Sequence, residues 1–330
     1  MKIRWNPRGS WLLAVAAGIA LAGCGGRAPR LLDHPQLAPG VTLRDVSFAS
    51  KALGRTVTYR VLLPEKPLPG RGLPVVYLLH GGGGGYRDWS NYSGVAAWAA
   101  PERMGGLILV MPEGDSSYFM NEAGAPSERY EDFLTSDLVA DVEARFPAAQ
   151  DRAHRAIVGA SMGGFAAVKL ALTRPDLYVF AGALSPAIDV PSRKFSWRRW
   201  AQSLRFRRIF GPEGSPARRA ADPFVLVRTA DPARTPFLYL TAGEKEALLE
   251  ANRRFAELLK QRGFRYEFHT RPGGHDWNQW DAQTPGCFER LAGWLGGKLS
   301  APGGLDISLS GGPDHSAGGN PWPARETAGV

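Results

Sequence analysis

Cysteine is almost absent from this 330-residue chain: only Cys24 and Cys287 occur, and they form no CxxC pair. That excludes a disulfide scaffold and a thiolate zinc cluster. Phosphate-cradling signatures are also missing. There is no GK[ST], and no GxGxxG that opens a helix with an acidic residue near the end of a second strand. The 40 glycines and 26 prolines follow no collagen period, and no internal repeat is visible. Acidic residues are missing from one stretch, Arg193 to Arg208, which holds seven basic side chains. With three more positive charges at Lys2, Arg4 and Arg8, this stretch accounts for the net charge of +9 and leaves the rest nearly neutral. A nucleic-acid binder would spread its basic residues over a face of the main fold, so no nucleic-acid partner is expected. The chain as a whole is 44% hydrophobic and 22% charged, the balance of a folded globular protein with a large core.

Both ends read as something other than fold. Lys2, Arg4 and Arg8 precede a short apolar run, Trp11 to Ala22, followed by Leu21-Ala22-Gly23-Cys24. A basic start, an apolar core too short to span comfortably and small residues at its end describe an export signal over residues 1–23. The last four residues resemble the lipobox of bacterial lipoproteins. Cys24 is therefore the expected lipid-attachment residue, holding the mature chain on a membrane; the plainer alternative is a cleaved signal with an incidental cysteine. Gly25 follows, so the acidic residue associated with inner-membrane retention is absent, favouring an outer membrane where the cell has one. Residues 300–330 are rich in Gly, Pro, Ala and Ser, with too little apolar surface to offset ordering entropy, and read as a disordered tail. After a linker at 24–40, one domain is expected over 41–299.

Within it, Thr42 to Ala49 and Arg55 to Leu63 alternate like two strands joined at Leu53-Gly54, an opening antiparallel hairpin. Pro74 to His80 and Leu107 to Met111 are continuous apolar runs, as in strands buried on both faces. Helical spacing follows over Tyr130 to Phe146, ending at Pro147. Then strand and helix alternate: strands at Arg155 to Ala160, Val179 to Leu184, Pro236 to Thr241 and Phe264 to His269; helices at Met162 to Leu172, Ala247 to Gln261 and Thr284 to Leu295. That order predicts an α/β fold with a mostly parallel sheet covered on both faces, and functional residues at the carboxyl ends of strands.

Gly159-Ala160-Ser161-Met162-Gly163 places GxSxG between an apolar strand and a helix that begins at once. The glycines permit a sharp turn that lifts the Ser161 hydroxyl to the top of the sheet as a nucleophile. The alternative is a serine that caps the helix. A serine hydroxyl needs an imidazole to take its proton, and the imidazole needs a carboxylate to fix its tautomer. Of six histidines, His275 stands in Pro272-Gly273-Gly274-His275-Asp276-Trp277, after the last strand, where a late loop reaches back over the nucleophile. His269 lies inside a strand pattern and His80 ends one beside a glycine run, so both suit structural roles. The chain order Ser, acid, His requires a carboxylate between 161 and 275 at a strand's end. Glu246, three residues past Gly243, is preferred to Glu244; Asp276 would have to fold back on its neighbour. Acyl transfer also needs N–H donors for a developing oxyanion. Met162 supplies one, and Gly82 in His80-Gly81-Gly82-Gly83-Gly84-Gly85 is the best candidate for the second.

Together these stretches resemble the esterase D family of α/β-hydrolases, which includes feruloyl esterases, tributyrin-type short-chain esterases, S-formylglutathione hydrolases and mycolyltransferases. The matching segments are YLLHGGGGGYRDWSNY, EDFLTSDLVADVEARFP, VGASMGGFAA, FGPEGSPARRAADPFVL, AGEKEALLEANRRF and PGGHDWNQW, spread over nearly the whole domain. The resemblance implies a triad of Ser161, Glu246 and His275, with Gly82 and Met162 as oxyanion donors. Most relatives carry Asp where Glu246 stands, although the mycolyltransferases use Glu. The expected function is hydrolysis of a small-molecule carboxylic ester, of short to medium acyl chain or aromatic, through an acyl-enzyme, with no metal or organic cofactor. Acyl transfer to an alcohol, and a noncatalytic surface-binding lipoprotein on the same fold, are the alternatives. Trp89, Tyr92, Tyr118, Phe119 and Trp197 are expected on the pocket walls. Between about 190 and 212 lies a cap insertion whose Trp197, Trp200 and Leu204 recur at helical spacing among arginines. It is expected to form a basic amphipathic helix that packs its tryptophans on the domain, or that also touches anionic lipid.

Overall fold

The computed structural model describes residues 33–66 and 72–295. The expected export signal, Cys24 and the expected tail lie outside the described residues. Chain contacts separate Met1–His34 from Pro35–Val330, and the fold below belongs to the second unit.

Strands β1 (Val41–Ser50) and β2 (Arg55–Pro64) form the expected antiparallel hairpin, turning through Gly54 at φ +61°. β3 (Val75–Leu79), β4 (Ile108–Pro112), β5 (Arg155–Ala160), β6 (Phe180–Leu184) and β7 (Phe237–Gly243) bury every residue. β8 (Tyr266–Arg271) is a more exposed edge. The order is β1-β2-β4-β3-β5-β6-β7-β8, with the β1–β2 and β2–β4 pairings antiparallel and all later pairings parallel. Because the chain passes from β3 to β4 on one side and then to β5 on the other, the loops after β3 and β5 diverge. A crevice opens at their carboxyl ends.

Alternation within β3 fixes the two layers. Val75, Tyr77 and Leu79 face one core with Phe133, Leu138 and Val142, whereas Val76 and Leu78 face another with Trp89, Trp98 and Phe288. The longer helices are α1 (Leu138–Arg145), which continues a run from Tyr130 through a π turn at Phe133–Asp137, then α2 (Met162–Thr173), α3 (Trp200–Phe210), α4 (Leu249–Gln261) and α5 (Trp277–Trp294).

Helix α5 differs from the expected start at Thr284. It begins seven residues earlier, where the Asp276 carboxylate accepts from the Gln279 N–H at 3.1 Å, and Pro285 sits inside it. Proline forfeits the bond to the Asp281 carbonyl. Burial of Trp280, Cys287, Phe288 and Leu291 against the sheet offsets that loss.

The β5–α2 turn brings strand and helix backbones together. A Cβ on Gly159 would collide with the Gly163 backbone, one on Gly163 with the Leu79 carbonyl, and one on Gly164 would lie 3.2 Å from Pro186. Strand and helix therefore approach as closely as bare backbone allows. Gly163→Ala is expected to lower stability by about 3 kcal/mol through overpacking, read as a lower urea midpoint at unchanged slope.

Cys287 is fully buried beside Gly182, and burial pushes its thiol pKa well up. Mass spectrometry after iodoacetamide treatment should find Cys287 unmodified in the native protein and alkylated once urea unfolds it.

Candidate active site

Ser161 follows β5 at φ 53°, ψ −108°, a conformation that a non-glycine residue keeps only where its surroundings over-determine it. They do. Its N–H donates to the Leu184 carbonyl at 2.8 Å, and its carbonyl accepts from Phe165 and Ala187, each at 3.0 Å. The hydroxyl makes no capping bond to α2, which removes the helix-cap alternative. Instead it lies 2.8 Å from His275 Nε2, at the partly exposed end of the strand.

His275 Nδ1 lies 2.9 Å from Glu246 Oε2. Two loops far apart in sequence achieve this by pairing their backbones. The Glu244 N–H donates to the Arg271 carbonyl and the Lys245 N–H to the Gly273 carbonyl, both at 2.9 Å. Gly243 is required there, since a Cβ would press on the Gly273 and Gly274 carbonyl oxygens at 2.7 Å. The Glu246 N–H turns back to the Gly243 carbonyl at 3.3 Å, which carries its side chain under the imidazole. The Glu246 side chain is 0% exposed against 34% for His275. Glu244 is exposed, with Thr270 at 3.5 Å, so the two candidate acids separate cleanly.

A carboxylate on Nδ1 makes that nitrogen the donor and leaves Nε2 with its lone pair toward the serine hydroxyl. The Glu246 Oε1 atom is buried and has no hydrogen-bond partner among the described residues, where the carboxylate's polar contact runs through the imidazole alone. Trp280 stands perpendicular to the imidazole, ring centroids 5.1 Å apart, and packs on from there to Trp277, which touches Trp89 and Tyr92.

The glycine loop after β3 runs beside Ser161: a Cβ on Gly81 would lie 3.7 Å from the Ser161 Cβ. A Cβ on Gly82 would meet open space. Neither the Gly82 nor the Met162 N–H has a hydrogen-bond partner among the described residues. Two carboxylates brace the loop. Asp88 accepts from the Gly85 N–H at 3.1 Å, and burial raises its pKa. Burial also opposes ionisation of Glu113, but neighbouring His80 and the N–H groups of Asp115 and Tyr86 prevail and hold its carboxyl below the usual range. His80 itself joins Gly81, at 2.8 Å from its carbonyl, to the Gly114 N–H at 3.0 Å, the propping role expected of it. His269 pairs with Glu267 at 3.0 Å.

Sequence reasoning missed Trp280, Asp88 and Glu113, whose work depends on contacts between distant loops. The available signals were the place of Asp88 beside the glycine run, of Trp280 beside the late histidine, and of Glu113 at the carboxyl end of a strand. The expected pocket walls need correction. Trp89 and Phe119 are core residues, each 1% exposed, and Tyr118 is packed among Phe165, Phe206 and Phe210. Trp197 faces outward. The cap helix α3 forms, starting at Trp200 after a 3₁₀ turn at Trp197–Arg199, but it packs Phe206, Ile209 and Phe210 on the domain rather than its tryptophans.

A strained serine, an imidazole poised to take its proton and a buried carboxylate behind it can together perform nucleophilic acyl transfer. The Esterase family model matches residues 50–291. An acetyl esterase of Caldicellulosiruptor saccharolyticus is 26% identical over 76% of this chain and 98% of its own length. The diacylglycerol acyltransferase/mycolyltransferase Ag85B of Mycobacterium avium is 27% identical over 92% of this chain and 98% of its own. Among solved structures, the fluorophosphonate-binding serine hydrolase FphF of Staphylococcus aureus has the same fold, with TM-score 0.65 and 24% identity over 77% of this chain and 98% of that one. The chain belongs to the Esterase family, as a serine carboxylic-ester hydrolase on an α/β-hydrolase fold.

Proposed function

We propose that this protein hydrolyses carboxylic esters of short to medium acyl chain, or of aromatic acids, through an acyl-enzyme on Ser161. The observation that carries the reading is the unbroken path from the Ser161 hydroxyl through His275 to Glu246, with links of 2.8 and 2.9 Å. In the first half-reaction Ser161 Oγ attacks the ester carbonyl while His275 Nε2 takes its proton, and Glu246 stabilises the imidazolium that forms. The carbonyl oxygen becomes an oxyanion, for which the free N–H groups of Gly82 and Met162 are the proposed donors. His275 then returns the proton to the leaving alcohol. Water, deprotonated by His275, releases the acid and regenerates the serine. Every proton is handled by a side chain already in place, so the chemistry calls for no metal or organic cofactor.

The likeness to an acetyl esterase over nearly that protein's whole length supports short acyl groups. The likeness to an acyltransferase, over a larger share of this chain, favours a second reading in which an alcohol replaces water in the second half-reaction. On the cell side we propose export and attachment of lipid at Cys24, at the outer membrane where there is one. The motif Leu21-Ala22-Gly23-Cys24 followed by Gly25 supports this.

Nitrophenyl esters of graded chain length should be turned over fastest at the short end. Ser161→Ala should lose roughly 10⁶ in kcat and should no longer be labelled by a fluorophosphonate; labelling that persists would refute the assignment of the nucleophile. Glu246→Gln should lose about 10⁴ in kcat, because an amide favours the wrong imidazole tautomer, whereas Glu244→Gln should leave kcat unchanged. Product analysis with added alcohols decides the second half-reaction: free acid throughout supports hydrolysis, and transesterified product in excess supports transfer.

A further inference from the structure

Helix α3 has two apolar faces, and the fold uses one. Phe206, Ile209 and Phe210 point inward, into a cluster with Met120, Phe165, Ala187 and Val190. On the opposite side Trp200 and Leu204 lie about 40° apart around the helix, and Phe206 sits roughly 200° from Leu204. The outer side chains are strongly exposed: Trp197 at 83%, Trp200 at 59% and Leu204 at 47%, with Phe195 at 42% set edge-on against Trp197, ring centroids 5.0 Å apart. These are four of the six exposed large hydrophobic residues of the described chain, all within ten positions. Scattered surface apolar residues need no explanation, but a concentration of this kind does.

The charges around the patch are equally particular. Arg193 pairs with Asp189, Arg208 with Glu122, and Arg218 spends its donors on backbone carbonyls. Lys194, Arg198, Arg199, Arg205 and Arg207 form no ion pair among the described residues. Lys194 and Arg207 border a recess of about 290 Å³ beside the exposed Phe195. Two tryptophans, a leucine and a phenylalanine ringed by unpaired cations match an interface that is apolar in depth and anionic at its surface. Tryptophan rings settle at headgroup level, and arginines find phosphates there.

We infer that the cap, from Lys194 to Arg207, is a membrane-seating surface that inserts Trp197, Trp200 and Leu204 among the headgroups of an anionic phospholipid bilayer. The seat is separate from lipid at Cys24 and does not depend on it. Its inner face rests on Phe165, whose N–H is bonded to Ser161, so the surface that meets the bilayer is rooted one helical turn from the nucleophile.

The test uses the full chain carrying Cys24→Ala, so that acylation cannot mask the seat. Its partition onto vesicles containing phosphatidylglycerol should fall about fivefold for each neutralised arginine, or roughly 100-fold for Arg198→Gln/Arg199→Gln/Arg207→Gln. The N-terminal apolar run is common to both proteins, so a difference in partition between them belongs to the cap. Turnover of a soluble ester by the triple variant checks folding, and Ser161→Ala should bind vesicles like its parent, which keeps this inference separable from the hydrolytic one. Hydroxyl-radical footprinting should show Trp197 and Trp200 protected by phosphatidylglycerol vesicles and far less by phosphatidylcholine vesicles. Three results would overturn the inference: a partition unchanged in the triple variant, tryptophans still reactive in vesicle-bound protein, or protection that rises with protein concentration without vesicles, which marks a second copy of this chain as the occupant.

Discussion

The arrangement depends on one buried carboxylate that has a single polar partner among the described residues. Glu246 is shut away from water, with one oxygen on the His275 imidazole and the other unmatched. A carboxylate so placed is costly unless its neighbour answers it. Here the answer is a ring whose far nitrogen meets the serine. The same low-dielectric setting that makes an isolated Glu246 expensive strengthens its hold on the imidazole. The half-exposed histidine is thereby fixed from behind while its working nitrogen stays at the surface.

What brings the carboxylate there is backbone pairing rather than side-chain recognition. The loop after β7 and the loop after β8 are joined through Lys245 and Gly273 as though the two parallel strands ran on past their ends. Gly243 has no side chain because the Gly273 and Gly274 carbonyl oxygens occupy its place. The same rule governs the β5–α2 turn, where Gly159 and Gly163 bring strand and helix backbones together and force Ser161 to a positive φ. In both places side chains have been removed so that backbones can meet, and the chemical group projects from the junction.

This explains which features were legible in the sequence. The buried strands were plain as apolar runs, and the hairpin as alternation, because those patterns are local. Ser161 was legible because its strand, turn and helix lie within some twenty residues. His275 and Glu246 were legible by position in the alternation, since only loops at carboxyl ends of strands can meet. The start of α5 was misread because Pro285 marks a first turn in an isolated sequence, whereas the Asp276 cap and the burial of Trp280 overrule it. Trp280, Asp88 and Glu113 escaped because their roles exist only once loops from β3, β4 and β8 are side by side. The cap tryptophans were expected to point inward, but helical spacing reveals a stripe without its direction, and phenylalanines on the other side of α3 had the better claim to the core.

That competition bears on how such a cap persists. A helix with apolar residues on both sides and cations between them loses solubility at its outer face, and in a freely diffusing protein Trp197 and Trp200 would be a liability. The inner face alone secures the cap: Phe206 and Phe210 lock into Tyr118 and Phe165, ring to ring, at 5.3 to 5.8 Å. Stability therefore gives no reason for the outer tryptophans. Nor do Arg198, Arg199, Arg205 and Arg207 serve as solubilising partners for acids, since none of them forms an ion pair among the described residues. Residues that neither fold the chain nor balance its charge are accounted for by something outside it, and here that partner must be apolar within and negative at its surface.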